Sequence, residues 1–579
     1  MWREQPLVTG PVQVAGGSEA VTAPPLEGVL RWRRWPDARA EAAASGRPLF
    51  VLAEWGWTTA AQRLAWFIER HDDLRTAIES HWVPCHVDPW LHPDVVAWLR
   101  YEAAALTGEP GPPLLALLDD EAEPFLAFGT LAYEGGDGVP SLASLLHSAE
   151  ELHRTERSRL RAEAAARRAR LLSDDPRPSA PSSPAALAQH VVERSDAVHG
   201  GVLGATKDPL PHALLALLDA VERSGEGPAG PVSAQLELVL THLARGGIRD
   251  QLWYGFHRAS RDDRWVVPHF EKLVPMNAAL ATAFARAGRR FERGDWIAIA
   301  EATLRWVSMA LEAAIDAVEA DTRYYTWTPQ EVRRVVTPDV LQVLGFHYHI
   351  TPHPARQVLH QAVPADDLHR HAHEPQATLL VRLDLGREQL RIARHARMPP
   401  TTMAEPSLAW RADALVWALH CAAALDQDDS RLLAVVDALS PAQEARRLNA
   451  AEALQGDIRR SFEEQATLAH LYAYAGERTA RDDWRQRARS LCDDLLERWP
   501  RVEGRFALTL PTESDTLSSG VAVLDHAIAS PVSHLLAAIA ITAPGKAEMR
   551  RELVADHAAF AALDPARSAA FWREALEAS

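Results

Sequence analysis

The chain has 579 residues, of which 47% are hydrophobic and 24% are charged, and this composition is typical of globular proteins. Because a domain usually contains about 100–200 residues, the length predicts two or more folding units. The formal net charge is -17 and the pI is near 5.8, so the field of the chain repels phosphate groups. These values argue against nucleic acid or an anionic membrane surface as a partner.

Cysteine usage and apolar runs bear on the cellular location. The three cysteines, Cys85, Cys421 and Cys492, are far apart and show neither CxxC nor Cys/His metal spacing. No apolar run reaches the roughly 18 residues that span a membrane, and the N-terminus lacks the basic start and apolar run of a secretory signal. We therefore expect a cytoplasmic protein with neither a membrane span nor a disulfide framework.

The first 150 residues read as an arm followed by an α/β domain. Residues 1–28 are rich in Gly, Pro and Val and predict a flexible arm, and residues 29–150 predict the domain. The predicted elements are a helix over 32–46, a strand over 48–55, a helix over 59–81, a strand over 82–88, a helix over 93–106, and strands over 114–119 and 125–129. This order is typical of a thioredoxin-like domain.

A charged helix and a linker are predicted over residues 151–185. The helix ends in the basic run RSRLRAEAAARRARLL (157–172), which could bind an acidic partner. Its interrupting acid and alanines favour an exposed helix that packs on one side. The Pro/Ser-rich run SDDPRPSAPSSPAA follows. From residue 186 to 579, at least eight amphipathic helical stretches fit a helical toroid or an α-solenoid about equally, although no fixed repeat is visible.

Two segments carry a family resemblance: RPLFVLAEWGWTTAAQRLAWF (47–67) and ARGGIRDQLWYGFHRASRDDRWVVPHFEKLVPMNAALA (244–281). They resemble the spermatogenesis-associated protein 20-like family, which joins a thioredoxin-like domain to a six-hairpin, glycosidase-like (α/α)6 barrel. The resemblance covers nearly the whole chain. It implies an α/β thioredoxin-like N-terminal domain followed by an all-α (α/α)6 barrel over residues 186–579.

The resemblance also locates the family's redox site. The family's Cys-His-Trp-Cys set aligns with Thr58, Thr59, Ala60 and Ala61, so both cysteines are absent. Dithiol exchange requires one thiolate to attack and a second thiol to resolve the mixed disulfide. Cys85 lies on a predicted strand, where a structural thiol is the better interpretation. Pro113 matches the family's cis-proline position, which implies a role in peptide binding, but we expect no disulfide exchange.

Polar positions of the family's barrel are partly replaced. Met276 stands where the family has an acid, and further departures fall at Val318, at 403–405, at 410–412 and at 529–533. The retained set His257, His269, Glu271 and Asp316 could form a general acid/base site in the barrel cleft. Candidate binding residues around it are Trp253, Trp265, Lys272 and Trp327. Because neighbouring acids are missing, a structural network is favoured over catalysis.

Histidine-rich stretches raise the question of a metal. They comprise His347, His349, His353 and His360, followed by His369, His371 and His373. Zinc requires three or four ligands that meet at one point. The i,i+2 spacing in a Pro-containing loop without cysteine favours solvated histidines. We therefore expect neither a metal nor a cofactor.

Two hypotheses of function remain from the sequence. The first is a non-redox pseudoenzyme that binds a peptide, a protein or a small ligand through its thioredoxin-like surface, its barrel cleft or both. The alternative is a carbohydrate-acting enzyme, of isomerase, epimerase or glycoside hydrolase type, that uses the retained barrel residues. The alternative rests on the barrel's kinship with six-hairpin glycosidases, and fold analogy alone is a weak warrant.

Overall fold

The structure is a computed structural model that describes most of the chain. It covers residues 30–578 except 90–91, 108–112, 130–132, 137–139, 173–179, 205, 226, 228–229, 320, 353–354, 405–406, 449–461, 500, 503–504, 507–524, 526–527 and 563. The predicted arm over 1–28 lies outside the described residues.

The N-terminal domain is built on one mixed sheet with the strand order β1-β3-β2-β4-β5. The strands are β1 (Arg33–Arg34), β2 (Leu49–Ala53), β3 (Val83–Val87), β4 (Leu114–Leu118) and β5 (Pro124–Phe128). β2 pairs with β3 in parallel and with β4 in antiparallel orientation. Every residue of β2 and β4 is buried, because helices cover both faces of the sheet, and this explains their continuous apolar sequences.

Helices α1 (Trp35–Ser45), α2 (Thr59–Arg70), α3 (Asp72–His81) and α4 (Pro93–Leu106) pack on this sheet. Leu142, Leu146 and Ala149 at the start of the next helix join the same core. The prediction of one continuous helix over 59–81 is wrong. The helix is interrupted at His71, whose φ of -118° and ψ of 85° are not helical; this residue ends α2 and precedes α3. Leu64 and Ile78 on the two helices still reach one core cluster, so both keep the amphipathic pattern that suggested a single helix.

The charged segment forms the long helix α5 (Leu142–Leu172), which runs through the boundary predicted at residue 150. Its arginines pair with acids of the N-terminal domain. Arg161 contacts Asp119 and lies 3.0 Å from Asp120, and Arg167 lies 2.9 Å from Glu102. The acidic partner of these arginines in the basic run is therefore a surface of the same chain.

The C-terminal region is a closed ring of helices. The inner helices are α7 (Pro211–Ser224), α9 (Val274–Arg290), α16 (Leu408–Leu425), α18 (Phe462–Thr479), α20 (Pro531–Thr542) and α22 (Ala569–Ala578). The outer helices are α6 (Pro184–Glu193), α8 (Pro231–Arg245), α10 (Gly294–Glu312), α17 (Ser430–Leu448), α19 (Asp482–Arg498) and α21 (Ala547–Ala561). Each inner helix packs against the next, and α22 packs against α7. This closure excludes the solenoid and confirms the predicted (α/α)6 barrel.

An insertion separates α10 from α16. It contains α11 (Thr322–Tyr325), α12 (Pro329–Val335), α13 (Pro338–Tyr348), α14 (His369–Ala372) and α15 (Gln376–His395), which have a core of their own. Short strands join loops of the barrel: β6 (Ala259–Ser260) pairs with β7 (Pro268–His269), β9 (Ile315–Val318) pairs with β8 (Lys272–Leu273) and β10 (Thr402–Ala404), and β11 (Arg501–Val502) pairs with β12 (Arg505–Phe506). None of the described helices has the length and apolarity to cross a membrane.

Candidate functional site

A cavity of about 400 Å³ lies inside the helical ring. Five of the six inner helices, α9, α16, α18, α20 and α22, supply its wall. One outer helix separates each inner helix from the next, so the six inner helices run in the same direction. The cavity extends from His534 in the first turn of α20 to Ile541 near its end. It therefore follows the axis of the barrel.

Three polar side chains form a line at one end of this cavity, which we call the cavity floor: Asp413, His534 and His470. Nε2 of His534 lies 3.0 Å from Oδ1 of Asp413, and its Nδ1 lies 2.9 Å from Nδ1 of His470. Burial raises the pKa of Asp413 to about 8, lowers the pKa of His534 to about 3 and holds the pKa of His470 well below its usual value. At neutral pH these groups form a chain without net charge.

Aromatic faces line the side of the cavity. The rings of His420 and Tyr474 stack with centroids 4.0 Å apart. The indole Nε1 of Trp417 donates to Oδ1 of Asp413 at 3.1 Å, which fixes the ring beside the floor. His212 packs against the same indole at 5.1 Å between centroids. Flat apolar faces beside hydrogen-bonding groups suit a small polar ligand.

Two arginines reach the cavity with their charge already balanced. Nε of Arg573 donates to Asp219 at 2.6 Å, and Arg286 donates to Asp219 at 2.7 Å and to Glu222 at 2.6 Å. Glu574 lies beside them, and burial raises the pKa of its carboxyl to about 7. A carboxyl with this pKa is present in both protonation states at neutral pH and can give or accept a proton.

Of the four retained acid/base candidates, none is among the residues that line this cavity. His257 instead sits beside a buried ion-pair cluster formed by Asp250, Lys272 and Arg394. Asp250 accepts from Lys272 Nζ at 2.8 Å and from Arg394 at 2.7 Å, while Nδ1 of His257 lies 3.0 Å from the Phe270 carbonyl. Burial lowers the pKa of His257 to about 3. The gap beside this cluster has a volume of about 10 Å³, enough for a single water.

His269 and Glu271 lie in a second cluster, at the boundary with the N-terminal domain. Arg258 donates to Glu54 at 3.2 Å and approaches Glu271 at 3.9 Å. Burial lowers the pKa of His269 to about 4, against the opposing effect of Glu271. Asp316 lies on β9, which pairs with β8, and its carboxylate lies 3.4 Å from Arg411. The catalytic role of these four residues stays a prediction.

The predicted aromatic binding faces are occupied by protein groups. Arg391 lies over the ring of Trp253 at 5.2 Å, and Arg397 over Trp327 at 3.8 Å. The indole of Trp265 is fully buried and donates to the His199 carbonyl at 3.0 Å. Trp265 and Trp327 are 0% and 2% exposed, so neither offers an open face to a sugar.

The positions of the lost redox motif are buried. Thr58 and Ala61 are both fully inaccessible, and the Thr58 hydroxyl caps α2 by accepting from the Ala61 amide at 3.3 Å. Pro113 is buried directly before β4. Cys85 is buried on β3, and burial raises the pKa of its thiol.

The histidine-rich stretches do not gather into one site. Nδ1 of His347 lies 2.7 Å from the Val363 carbonyl, and its Nε2 lies 2.9 Å from Arg387. His349 ends α13 with a φ of 49°, and Nδ1 of His360 lies 3.2 Å from the Val358 carbonyl. His369, His371 and His373 are exposed on or just after α14, and His353 lies outside the described residues. Over the described part of the chain, no group of three or more His, Cys, Asp or Glu could hold a metal ion.

Sequence reasoning missed the cavity residues Asp413, His470 and His534. Each lies inside an apolar helical stretch, ADALVWALH, ATLAHLYAY and SHLLAAIAI. A polar residue on the buried face of such a helix was the available signal, since a buried polar group requires a partner. The segment 529–533 was noted, but only as a departure from the family.

The fold and site define a class: a thioredoxin-like domain without redox cysteines that precedes an (α/α)6 barrel with a polar axial cavity. Residues 26–172 match the family model Thioredox_DsbH, described as "Protein of unknown function, DUF255". The chain is 32% identical over 188 residues to human spermatogenesis-associated protein 20 and 30% identical over 169 residues to its mouse counterpart. These segments cover 28% and 26% of this chain and 24% and 21% of the relatives. The predicted resemblance to the spermatogenesis-associated protein 20-like family is confirmed over this part of the chain.

The aligned parts therefore span about a quarter of the length of these relatives. Among solved structures, cellobiose 2-epimerase from Spirochaeta thermophila covers 62% of this chain and 92% of its own, with 13% identity and a TM-score of 0.30. A sugar epimerase from a ruminal bacterium covers 57% and 91%, with 11% identity and a TM-score of 0.26. TM-scores this low do not establish a shared fold. The assignment of this chain's (α/α)6 barrel rests on the closed ring of helices.

Proposed function

We propose that the protein binds a small, uncharged polar molecule in the axial cavity of its barrel and does not exchange disulfides. The observation that carries this proposal is the cavity itself. Its volume of about 400 Å³ falls within the range of small-molecule sites, roughly 300–1,000 Å³. It combines a line of hydrogen-bonding groups with aromatic faces, whereas the clusters around His257 and His269 are packed.

The arginines that reach the cavity are not free to bind an anionic ligand. Asp219 and Glu222 already balance Arg286 and Arg573. The floor groups are neutral at neutral pH, so they offer donors and acceptors without a net field. A polyhydroxylated molecule of sugar size has this chemistry, since its hydroxyls give and accept hydrogen bonds and its C–H faces pack on aromatic rings.

The N-terminal domain supports the non-redox part of the proposal. Thr58 and Ala61 offer no thiol, and both are inaccessible to a disulfide substrate. Cys85 is buried with a raised thiol pKa, so it holds little thiolate at neutral pH. We also propose a cytoplasmic location, because the three buried cysteines are free thiols and a reducing compartment keeps thiols reduced. Cell fractionation tests that location.

Calorimetric titration of the purified full chain with neutral mono- and disaccharides, and with their phosphorylated and carboxylated counterparts, tests the binding proposal. We expect saturable binding to a neutral compound, loss of that binding in Tyr474→Ala, and unchanged binding in the matched control Tyr254→Ala, which lies outside the cavity. Binding restricted to the charged compounds would contradict the proposed ligand class. Equal loss in both variants would contradict the proposed site.

A second candidate function is acid–base chemistry on a carbohydrate bound in the same cavity. Asp413 and Glu574, whose pKa values burial raises to about 8 and about 7, favour it, because proton transfer needs groups that can hold and release a proton near the working pH. His534 and His470 form a line of polar groups from Asp413 into the cavity. These are not the residues predicted from the sequence. Deuterium uptake from D2O into a bound sugar, followed by NMR, tests the idea. Turnover that survives in His534→Gln would refute it.

A further inference from the structure

The loop between β2 and α2, residues 54–58, packs into the core of the barrel. This docking loop holds the first position of the aligned redox motif, Thr58. In a dithiol exchanger the equivalent surface must be open, because the thiolate at the helix N-terminus attacks an external disulfide. Here Trp55 and Trp57 belong to the core cluster of the barrel and are 6% and 1% exposed.

Two kinds of contact hold the docking loop. The ring of Trp55 meets the ring of Trp410 edge-on, with centroids 5.2 Å apart. Glu54, 2% exposed, accepts from its neighbour's amide at 3.1 Å and from Arg258 of the barrel at 3.2 Å. On α4 of the same domain, Ala97 and Tyr101 join the barrel core as well. The N-terminal domain thus covers the end of the barrel at which α16 begins.

The same helix α16 carries the contact into the cavity. Trp410, Asp413 and Trp417 follow one another at spacings of three and four residues and share one helical face. Trp410 meets the docking loop, Asp413 contacts His534 on the cavity floor, and Trp417 lines the cavity. The start of α16 has no side-chain cap, because Ser407 makes no such bond. Tertiary contacts therefore decide where the first turns of this helix lie.

We propose that the thioredoxin-like domain serves the barrel of its own chain as a positioning element: its docking loop holds Trp410 and thereby places Asp413 at the floor of the axial cavity and Trp417 beside it. The former redox surface has an intramolecular partner in place of a disulfide substrate. Trp55 is a positioning residue, since it acts through Trp410. The proposal holds whether or not the cavity binds a sugar.

The indole resonance of Trp417 tests the proposal, because its N–H donates to Asp413 and reports their distance. It is assigned in the full chain by its absence in Trp417→Phe. We expect Trp55→Ala and the milder Trp55→Leu to shift this resonance upfield, and Trp55→Phe to restore it. The matched control is Trp66→Ala, which removes an exposed tryptophan of the same domain and leaves the resonance in place.

Hydrogen–deuterium exchange supplies the second readout. Loss of an edge-on aromatic pair predicts about three- to tenfold faster exchange of the amides of residues 408–417 in Trp55→Ala, with Trp66→Ala like the parent. Faster exchange in residues 54–62 confirms that the docking loop has become less tightly held. The proposal is overturned if the dock loosens while both the Trp417 resonance and the exchange of residues 408–417 stay unchanged. It is also overturned if Trp66→Ala moves them as much as Trp55→Ala does.

Discussion

Buried neutral histidines should make the folded chain less stable at acidic pH, and His347 is the residue at which this effect can be measured most directly. This imidazole is fully buried, with Nδ1 2.7 Å from the Val363 carbonyl and Nε2 2.9 Å from the Arg387 guanidinium. A guanidinium can only donate, so Nε2 must accept and Nδ1 must carry the proton. A second proton would place two donors face to face. Burial, and then Arg387, therefore lower the pKa of His347 to about 3.

Proton linkage gives the sign and the size of the change in the free energy of unfolding with pH. The folded pKa lies below the unfolded value of about 6.5, so the unfolded chain binds more protons between those values and stability falls as the pH is lowered through that window. Between about pH 7.5 and pH 5, one such histidine removes about 2 kcal/mol from the free energy of unfolding. Buried His257, His420 and His534, each with a pKa lowered to about 3, add to the trend.

His347→Gln tests this value, since the amide can donate to Val363 and accept from Arg387 but cannot titrate. The free energy of unfolding, followed by circular dichroism in urea at the two pH values, should fall by about 2 kcal/mol less in this variant than in the parent. The control His371→Gln removes an exposed histidine and should leave the difference unchanged. An unchanged difference in His347→Gln would refute the reasoning.

Three further predictions concern the scaffold. Lys272→Met leaves Asp250 short of one partner in a buried cluster and should destabilise the chain by about 3–5 kcal/mol in urea unfolding, whereas exposed Arg264→Met should change little. Restoring the motif with Thr58→Cys/Ala61→Cys should give thiols that react with Ellman's reagent only in denaturant and a chain that does not reduce insulin, because both positions are buried; native-state reduction of insulin would contradict this. Gly247→Ala puts a Cβ 2.1 Å from the Val266 carbonyl oxygen and should lower the free energy of unfolding by about 1–3 kcal/mol. Gly345→Ala adds a Cβ in open space on α13 and should raise it by about 0.5–1 kcal/mol. Melting temperatures that move in the same direction for both variants would contradict the packing.

The sequence predicts the scaffold well because its signals are local. The apolar runs that became β2 and β4 are continuous, since both faces of the sheet are covered. The interruption at His71 could not be predicted from the sequence, because the helical period of apolar residues continues across it. Closure of the ring could not be read from periodicity, since a toroid and a solenoid share the same amphipathic helices and differ only in the contact between α22 and α7.

The candidate site was harder for a physical reason. The motif over 244–281 is rich in polar residues, yet its side chains mostly bond to one another and to the backbone: Asp250 binds Lys272 and Arg394, and Asp262 accepts from the amide of Val267 at 2.6 Å. Such a loop looks like an active site because it is polar and distinctive. Its polar groups, however, are the partners that allow an irregular segment to be buried at all.

The cavity shows the opposite pattern. His470 and His534 each interrupt an apolar helix only once, so composition and motif searches pass over them, and their meaning depends on which helices stand side by side in the ring. A buried imidazole pair next to a carboxyl is costly to maintain as packing, because apolar residues of similar volume fill a core without unpaired polar groups. The axis of the barrel therefore holds polar groups, even though the family's pattern is replaced at 529–533. Replacing His470 and His534 together by leucine, beside the packing control Leu536→Met, decides the matter, because it removes both members of the pair while Asp413 keeps the Trp417 and Ala529 donors. A gain in stability with loss of ligand would mark these groups as functional, and a loss of stability would mark them as structural.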